Sequence, residues 1–296
     1  EWKGTPNRSI WSYNVGDDGS LSGKTKLIDA ADQGSLDGFR VDRDGNLYIV
    51  DIPFGRIFRI APDGEWSLVI EYEGWPNGLK IAADGRILVA DYMHGIMALD
   101  AAAGRITPVL TTRNSESFRG CNDLHLATNG DIYFTDQGQT GLHDPSGRVY
   151  RLAPNGRLDC LINTGISPNG LVLDPSESVL FVAMTRDNAV WRLPFMRDGS
   201  VSKVGRFCSL FGTSGPDGMT MDARGRLFVG HASLGHVFVF APNGEMIARI
   251  KSCAGPNCTR PLISTARPIG MAPRNIDCTG CSSIGHRVSR CSSTRV

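Results

Sequence analysis

Five short polar residues stand at one place in five related stretches of this chain. They are Asp37 in SLDGFRVDRDGNLYIVD (35–51), Asn77 in WPNGLKIAADGRILVAD (75–91) and Asn122 in GCNDLHLATNGDIYFTD (120–136). Asn169 in SPNGLVLD (167–174) and Asp217 in GPDGMTMDARGRLFVGH (215–231) complete the set. All five are oxygen donors, and two are carboxylates. Gathered at one point they suit a hard cation, Ca²⁺ above all. No His or Cys occupies these positions, which argues against a typical Zn²⁺ site. The same residue types before glycine are also ordinary turn formers that bond their own backbone. On spacing alone both readings stand.

The elements that must position these residues follow from the spacing. The steps between the five are 40, 45, 47 and 48 residues, with strand signals only, and that period belongs to a β-propeller with one four-stranded blade per repeat. After each polar residue apolar positions alternate, as in Leu79 and Ile81. A glycine turn follows (RDGN, ADGR, TNGD, ARGR), then a continuous apolar run (LYIV, ILVA, IYFT, LFVG) that reads as a strand buried on both faces. RIFRI, RVYRL and HVFVF supply third strands, and APDGE, APNGR and APNGE turn into fourth ones. Residues 9–28 resemble 189–207, the outer half of a blade, so the N-terminus is expected to supply the outer half of a closing sixth blade. The expectation is an all-β, six-bladed propeller over residues 1–260. Its closure blade is shared between the two chain ends, with an inner strand starting near GPNCTR (255–260). Residues 261–296 carry no alternation and no turn-bounded apolar run, so they read as an atypical tail and the closure as defective.

Composition narrows the function classes. The chain has 296 residues and a net charge of +1, which gives nucleic acid and anionic membranes nothing to hold. No apolar run approaches the roughly 18 residues of a membrane helix. Cytoplasm is the expected compartment, with secretion or a periplasmic location left open because Glu1 is not a start methionine. A monomer or weak homo-oligomer is expected. Cys121, Cys160 and Cys208 read as small core residues. Cys253, Cys258, Cys278 and Cys281 have the spacing of a loose zinc ribbon without its hairpins. G-x-S-x-G, H-E-x-x-H and Walker loops are absent from the sequence. His94, His231 and the tryptophans 11, 66, 75 and 191 read as packing or surface residues.

The set LDGFRVDRDGNLYIVDIPFGRIFRI, WPNGLKI, CNDLHLATNGDIYFTDQGQTG, SPNGLVLDPSESVLFVA and GPDGMTMDARGRLFVGH resembles the family of senescence marker protein, gluconolactonase and luciferin-regenerating enzyme over roughly residues 35–250. That resemblance implies a six-bladed propeller with a divalent metal in its channel: Ca²⁺, with Mn²⁺, Mg²⁺ or Zn²⁺ as other occupants. Its ligands would fall on Asp37, Asn122, Asn169 and Asp217. It implies hydrolysis of a small-molecule lactone or ester, with Asp217 taking the proton from the attacking water. Two positions depart from the family pattern. Blade one has Asp37 where Glu is usual, one methylene shorter. Some members carry a substrate-binding Arg two residues before the blade-three Asn; here that place is Gly120, with Arg119 one further back. Arg119, Asp123 and Asn77 are the candidate substrate contacts, Asn77 being read equally well as a turn residue. The alternatives are a phosphotriesterase-like hydrolase using the same metal and a non-catalytic propeller that binds a small ligand or a protein.

Overall fold

The computed structural model describes residues 9–15, 21–29, 36–251 and 275–279. Five four-stranded antiparallel sheets follow one another along the chain. Blade one consists of Leu36–Val41, Leu47–Asp51, Arg56–Ile60 and Trp66–Glu71. Blades two to five begin with the corresponding innermost strands Pro76–Ile81, Cys121–Leu126, Pro168–Leu173 and Pro216–Met221. These innermost strands lie against one another in sequence order, so their starts gather round one hub. The helical structure among the described residues is two single 3-10 turns, Ile52–Phe54 and Thr185–Asp187. No helix among them is long and apolar enough to cross a membrane.

The continuous apolar runs do what their pattern implies. Leu47–Asp51, Ile87–Asp91 and Leu227–His231 are buried along their whole length. The cores lie between blades. Val50 and Ile57 of blade one meet Leu79, Val89 and Leu99 of blade two. Phe134 and Tyr150 of blade three stack at 5.2 Å beside Leu88 and Ile96 of blade two. Each fully buried side chain of this size contributes about 1.5–3 kcal/mol. Cys121 and Cys208 are buried and free, and Cys160 is partly buried and free, as small core residues should be.

The closure corrects the six-blade expectation. Among the described residues there are five complete blades rather than six. The remaining sheet has three strands, in the order Leu21–Asp29, Ser9–Val15, Asn275–Thr279. The N-terminus supplies two outer strands, as expected, and Ile10 joins the core of blade one. The C-terminus adds one strand, antiparallel to the first from Ile10 opposite Thr279 to Asn14 opposite Asn275. That strand, NIDCT, falls within the segment read as lacking strands, because two apolar positions are too few for a visible alternation. The strand start expected at 255–260 and the boundary at 260 lie outside the described residues, as do most of the tail cysteines.

Candidate functional site

The five polar residues are not in turns. Each lies inside an innermost strand, at a break in the pairing register. The breaks fall between Leu36 and Phe39, Pro76 and Gly78, Cys121 and Leu124, Pro168 and Leu171, and Pro216 and Met219. Bulges of this kind re-aim a side chain, and they recur next to active sites. Asp37, Asn122 and Asn169 are 6%, 4% and 6% exposed. Asn77 and Asp217 are partly buried.

The following glycine has a different task from the one its dipeptide suggests. Gly38, Gly78 and Gly170 do not have positive φ. A Cβ on Gly38 would stand 2.3 Å from the Asn77 carbonyl oxygen, and one on Gly170 would stand 2.4 Å from that of Asp217. On Gly78 it would stand 2.5 Å from Asp123 Oδ1 and 2.9 Å from the Asn122 carbonyl oxygen. Glycine is present so that neighbouring inner strands can touch backbone to backbone. Blade three alone has a side chain at this place, Asp123.

Asn169, Asp217 and Asp123 come together at the hub. Burial raises Asp217 to about 7, the charge of Asp123 adds to the rise, and a hydrogen bond with the Asn169 side chain opposes it. Burial likewise raises Asp123 to about 6, against the positive charge of Arg40 and backbone N–H groups of Leu124 and Leu171. The Leu124 N–H donates to Asp123 Oδ1 at 2.8 Å. Thr135 ties the same region across two blades. Its hydroxyl donates to the Asn169 carbonyl at 2.8 Å and accepts from the Asp123 N–H at 3.1 Å. Asn122 donates through Nδ2 to Gln137 Oε1 at 3.0 Å, which leaves its Oδ1 as the free acceptor end. Asp37 holds the corresponding place on blade one. Among the described residues no three His, Cys, Asp or Glu side chains form a metal cluster, so a cation here would need the Asn amides as well as the acids.

A basic group beside this ring was missed from the sequence. Arg40, Lys80 and His125 each stand three residues after the polar position of their blade. Lys80 Nζ lies 4.0 Å from Asp123 Oδ1. Burial lowers the Arg40 guanidinium from its ordinary value, and Asp123 partly restores it. Burial and then the charge of Arg40 lower His125 to about 4, so its imidazole is neutral. The available signal was a basic residue recurring in register at the polar position between the two apolar ones, as in Phe39-Arg40-Val41, Leu79-Lys80-Ile81 and Leu124-His125-Leu126.

Around the mouth, Arg119 and Gly120 each have neighbours of their own. Arg119 is held by Asp144, at 3.5 Å, and by the Ser146 hydroxyl. A Cβ on Gly120 would stand 2.4 Å from the ring of Tyr92, so Tyr92 fills the room of a side chain there. Tyr92 also packs beside Trp75, at 5.9 Å between ring centroids, and accepts a hydrogen bond from Gln139 at 2.7 Å. His94 Nε2 bonds the Glu73 carbonyl at 2.6 Å. His231 is buried, with its Nε2 3.2 Å from Asn188 Oδ1. The aspartates that end second strands brace the mouth: Asp91 accepts from Tyr72 Oη at 2.6 Å and from the Met93 and His94 N–H groups, and Asp136 accepts from the Gly120 N–H at 2.9 Å.

The family model described as the SMP-30/Gluconolactonase/LRE-like region matches residues 2–73 and 43–267. The chain belongs to this family. A gluconolactonase of Zymomonas mobilis is 32% identical over 247 residues, covering 72% of this chain and 68% of that protein. Among solved structures, a Xanthomonas campestris gluconolactonase superposes with a TM-score of 0.70 at 23% identity, covering 86% of this chain and 90% of that one. A calcium-binding regucalcin of Agrobacterium tumefaciens gives 0.65 at 18% identity, covering 83% and 91%. The two structural likenesses speak for the fold; the family match and the Zymomonas relative speak for a lactone hydrolase.

Proposed function

We propose that this chain opens lactones at the hub, with Asp37, Asn122, Asn169 and Asp217 holding a divalent cation, Ca²⁺ above all. The observation that carries the reading is the carboxylate of Asp217, hydrogen-bonded to Asn169 and facing the second acid Asp123 in a buried hub. The donor set fits a hard cation: four oxygen ligands, two of them acids, in a place where Asp217 already resists a bare negative charge. When bound, such an ion would polarise the lactone carbonyl and offset the charge that develops on its oxygen.

The chain's own groups supply the proton transfers. With the cation held, Asp217 would stand ionised, and its carboxylate is the group that takes the proton. It takes a proton from water as the water oxygen bonds to the carbonyl carbon. The ring C–O bond then breaks, and the proton returns to the leaving alkoxide, giving a hydroxy acid. Asn122 and Asn169 add no charge, and Gln137 fixes which end of the Asn122 amide faces the hub. Arg40 and Lys80 keep Asp123 from repelling the negative charge of the reacting centre without limit.

A pH-stat assay over sugar and aliphatic lactones, with and without chelator, tests the reading. Lactones should open, faster with metal restored. Asp217→Asn should lose at least about 100-fold in kcat, the usual worth of a positioned acid–base group, while staying folded. An equally active variant, or no lactone opened with Ca²⁺, Mn²⁺, Mg²⁺ or Zn²⁺ present, would overturn it.

A further inference from the structure

We infer that the cavity beside the hub receives an anionic group carried by the substrate at its end remote from the ring carbonyl, and that Arg186 recognises it. The inference rests on the lactone reading above and narrows its substrate class to hydroxylated lactones bearing a carboxylate or a phosphate.

The cavity holds about 550 Å³, inside the range of roughly 300–1,000 Å³ usual for small-molecule sites. Its lining is polar: Gln137, Gln139, Thr140, His143, Ser167 and Arg186 face it, with Leu142 as the one large apolar side chain. Such a wall suits hydroxyl groups better than a long acyl chain. It is continuous with the candidate ring. Gln137 accepts from Asn122 and donates through Nε2 to the Ser167 hydroxyl at 3.0 Å, and Ser167 precedes Asn169 by two residues.

The wall is fixed in advance. The Thr140 hydroxyl donates to the Gln137 carbonyl at 2.7 Å and accepts the Ser167 N–H at 3.1 Å. Ser167 sits in the left-handed region at φ 58°, a conformation that non-glycine residues adopt only when surroundings enforce it. Gly141 and Asp144 close the far end with reciprocal backbone bonds of 3.1 Å.

The charges around it are unevenly committed. Arg119 is occupied by Asp144 and Ser146. Asp187, next to Arg186, is taken by Trp191 Nε1 at 2.8 Å and by Arg206 at 2.6 Å. Arg186 is exposed and has no ion pair or hydrogen bond among the described residues. Its Cγ lies 3.8 Å from where a Gly141 Cβ would stand, which sets the side chain against the wall loop. A guanidinium so placed can take two oxygens of a carboxylate or phosphate at once.

The experiment compares gluconolactone, the same lactone phosphorylated on its far hydroxymethyl, and the lactone oxidised to a carboxylate there. Arg186→Gln should raise KM for the two charged lactones about 10–100-fold, the worth of a charge-assisted bond, with kcat and the neutral lactone unchanged. Arg186→Lys should recover part of the loss. Preference for one charged lactone identifies the group as phosphate or carboxylate. Wild-type KM values that ignore the charge, or a variant that weakens all three equally, would overturn the inference. Calorimetry with the unreactive open-chain phosphorylated acid separates it from the function above. Binding by the wild type and loss in Arg186→Gln supports the cavity even if nothing is hydrolysed. No binding, alongside normal opening of gluconolactone, refutes the cavity and leaves the lactone reading intact.

Discussion

Gly170→Ala tests the close approach of inner strands on which the site geometry depends. The added Cβ would stand 2.4 Å from the Asp217 carbonyl oxygen, 2.9 Å from Gly218 Cα and 3.1 Å from Met219 N. Ordinary contact begins near 3.4 Å, so blades four and five must part by about 1 Å. Every atom met is backbone inside a paired strand, and no flexible side chain can yield. Overpacking of this kind costs about 1–3 kcal/mol. The movement separates Asn169 from Asp217, whose hydrogen bond crosses this contact. Misplacing a reacting group by about 1 Å costs on the order of 100-fold. The melting temperature should fall while the folded fraction, measured by circular dichroism at low temperature, shows a kcat reduced far more than stability alone explains. Gly205→Ala is the control, because nothing lies within 4 Å of its Cβ position. A Gly170→Ala protein with wild-type melting and turnover would refute the backbone contact as the reason for glycine in these motifs.

Asp217 and Asp123 predict an unusual pH dependence. Their folded values, about 7 and about 6, exceed the roughly 3.9 of an unfolded Asp, so the native state holds extra protons in between. Metal-free protein should therefore lose stability as pH rises from about 4 to about 7. Denaturant titrations of Asp217→Asn should show a shallower slope, and an unchanged slope would count against the raised carboxyl. Asp37→Glu should tighten metal binding by reaching further toward the hub, read as a larger Ca²⁺-induced rise in melting temperature; a smaller rise contradicts Asp37 as a ligand. Tyr72→Phe removes the hydroxyl that donates to buried Asp91 at 2.6 Å and should cost about 1–3 kcal/mol in urea unfolding. Lactone turnover by its folded form should be unaltered, since this contact braces the mouth away from the candidate ring.

The propeller was legible because each repeat carries both a period-2 strand and a two-face-buried strand, and both patterns survive in the blades. The local meaning of the motif was not. PNG and PDG look like turns, since Asn, Asp and Gly ordinarily end strands. Here glycine answers to a neighbouring backbone some 40 residues away, and such an interblade contact leaves no trace in local propensity. Gly120 is a second case: a residue seemingly missing from a family pattern is explained by the ring of Tyr92, 28 positions earlier in the chain. Arg40, Lys80 and His125 were passed over because the alternation was read for its apolar positions alone. The closing strand Asn275–Thr279 was unreadable because its pairing with residues 10–14 spans almost the whole chain.

The charge of the hub links these observations. Among the described residues, Asp37, Asp123 and Asp217 bring three acids to one region, against Arg40 and Lys80 with a neutral His125. With all acids ionised the group carries one surplus negative charge. One proton cancels it, and Asp217, raised to about 7 by burial and then by the charge of Asp123, is the acid best placed to hold it. A divalent cation would reverse the surplus, leaving one positive charge, and would displace the proton as it binds. Proton and cation would thus compete for the same carboxylate. On the proposed reading the competition would keep Asp217 ionised whenever the cation is bound, while Arg40 and Lys80, fixed beside Asp123, would limit the repulsion between the ring and an anionic ligand.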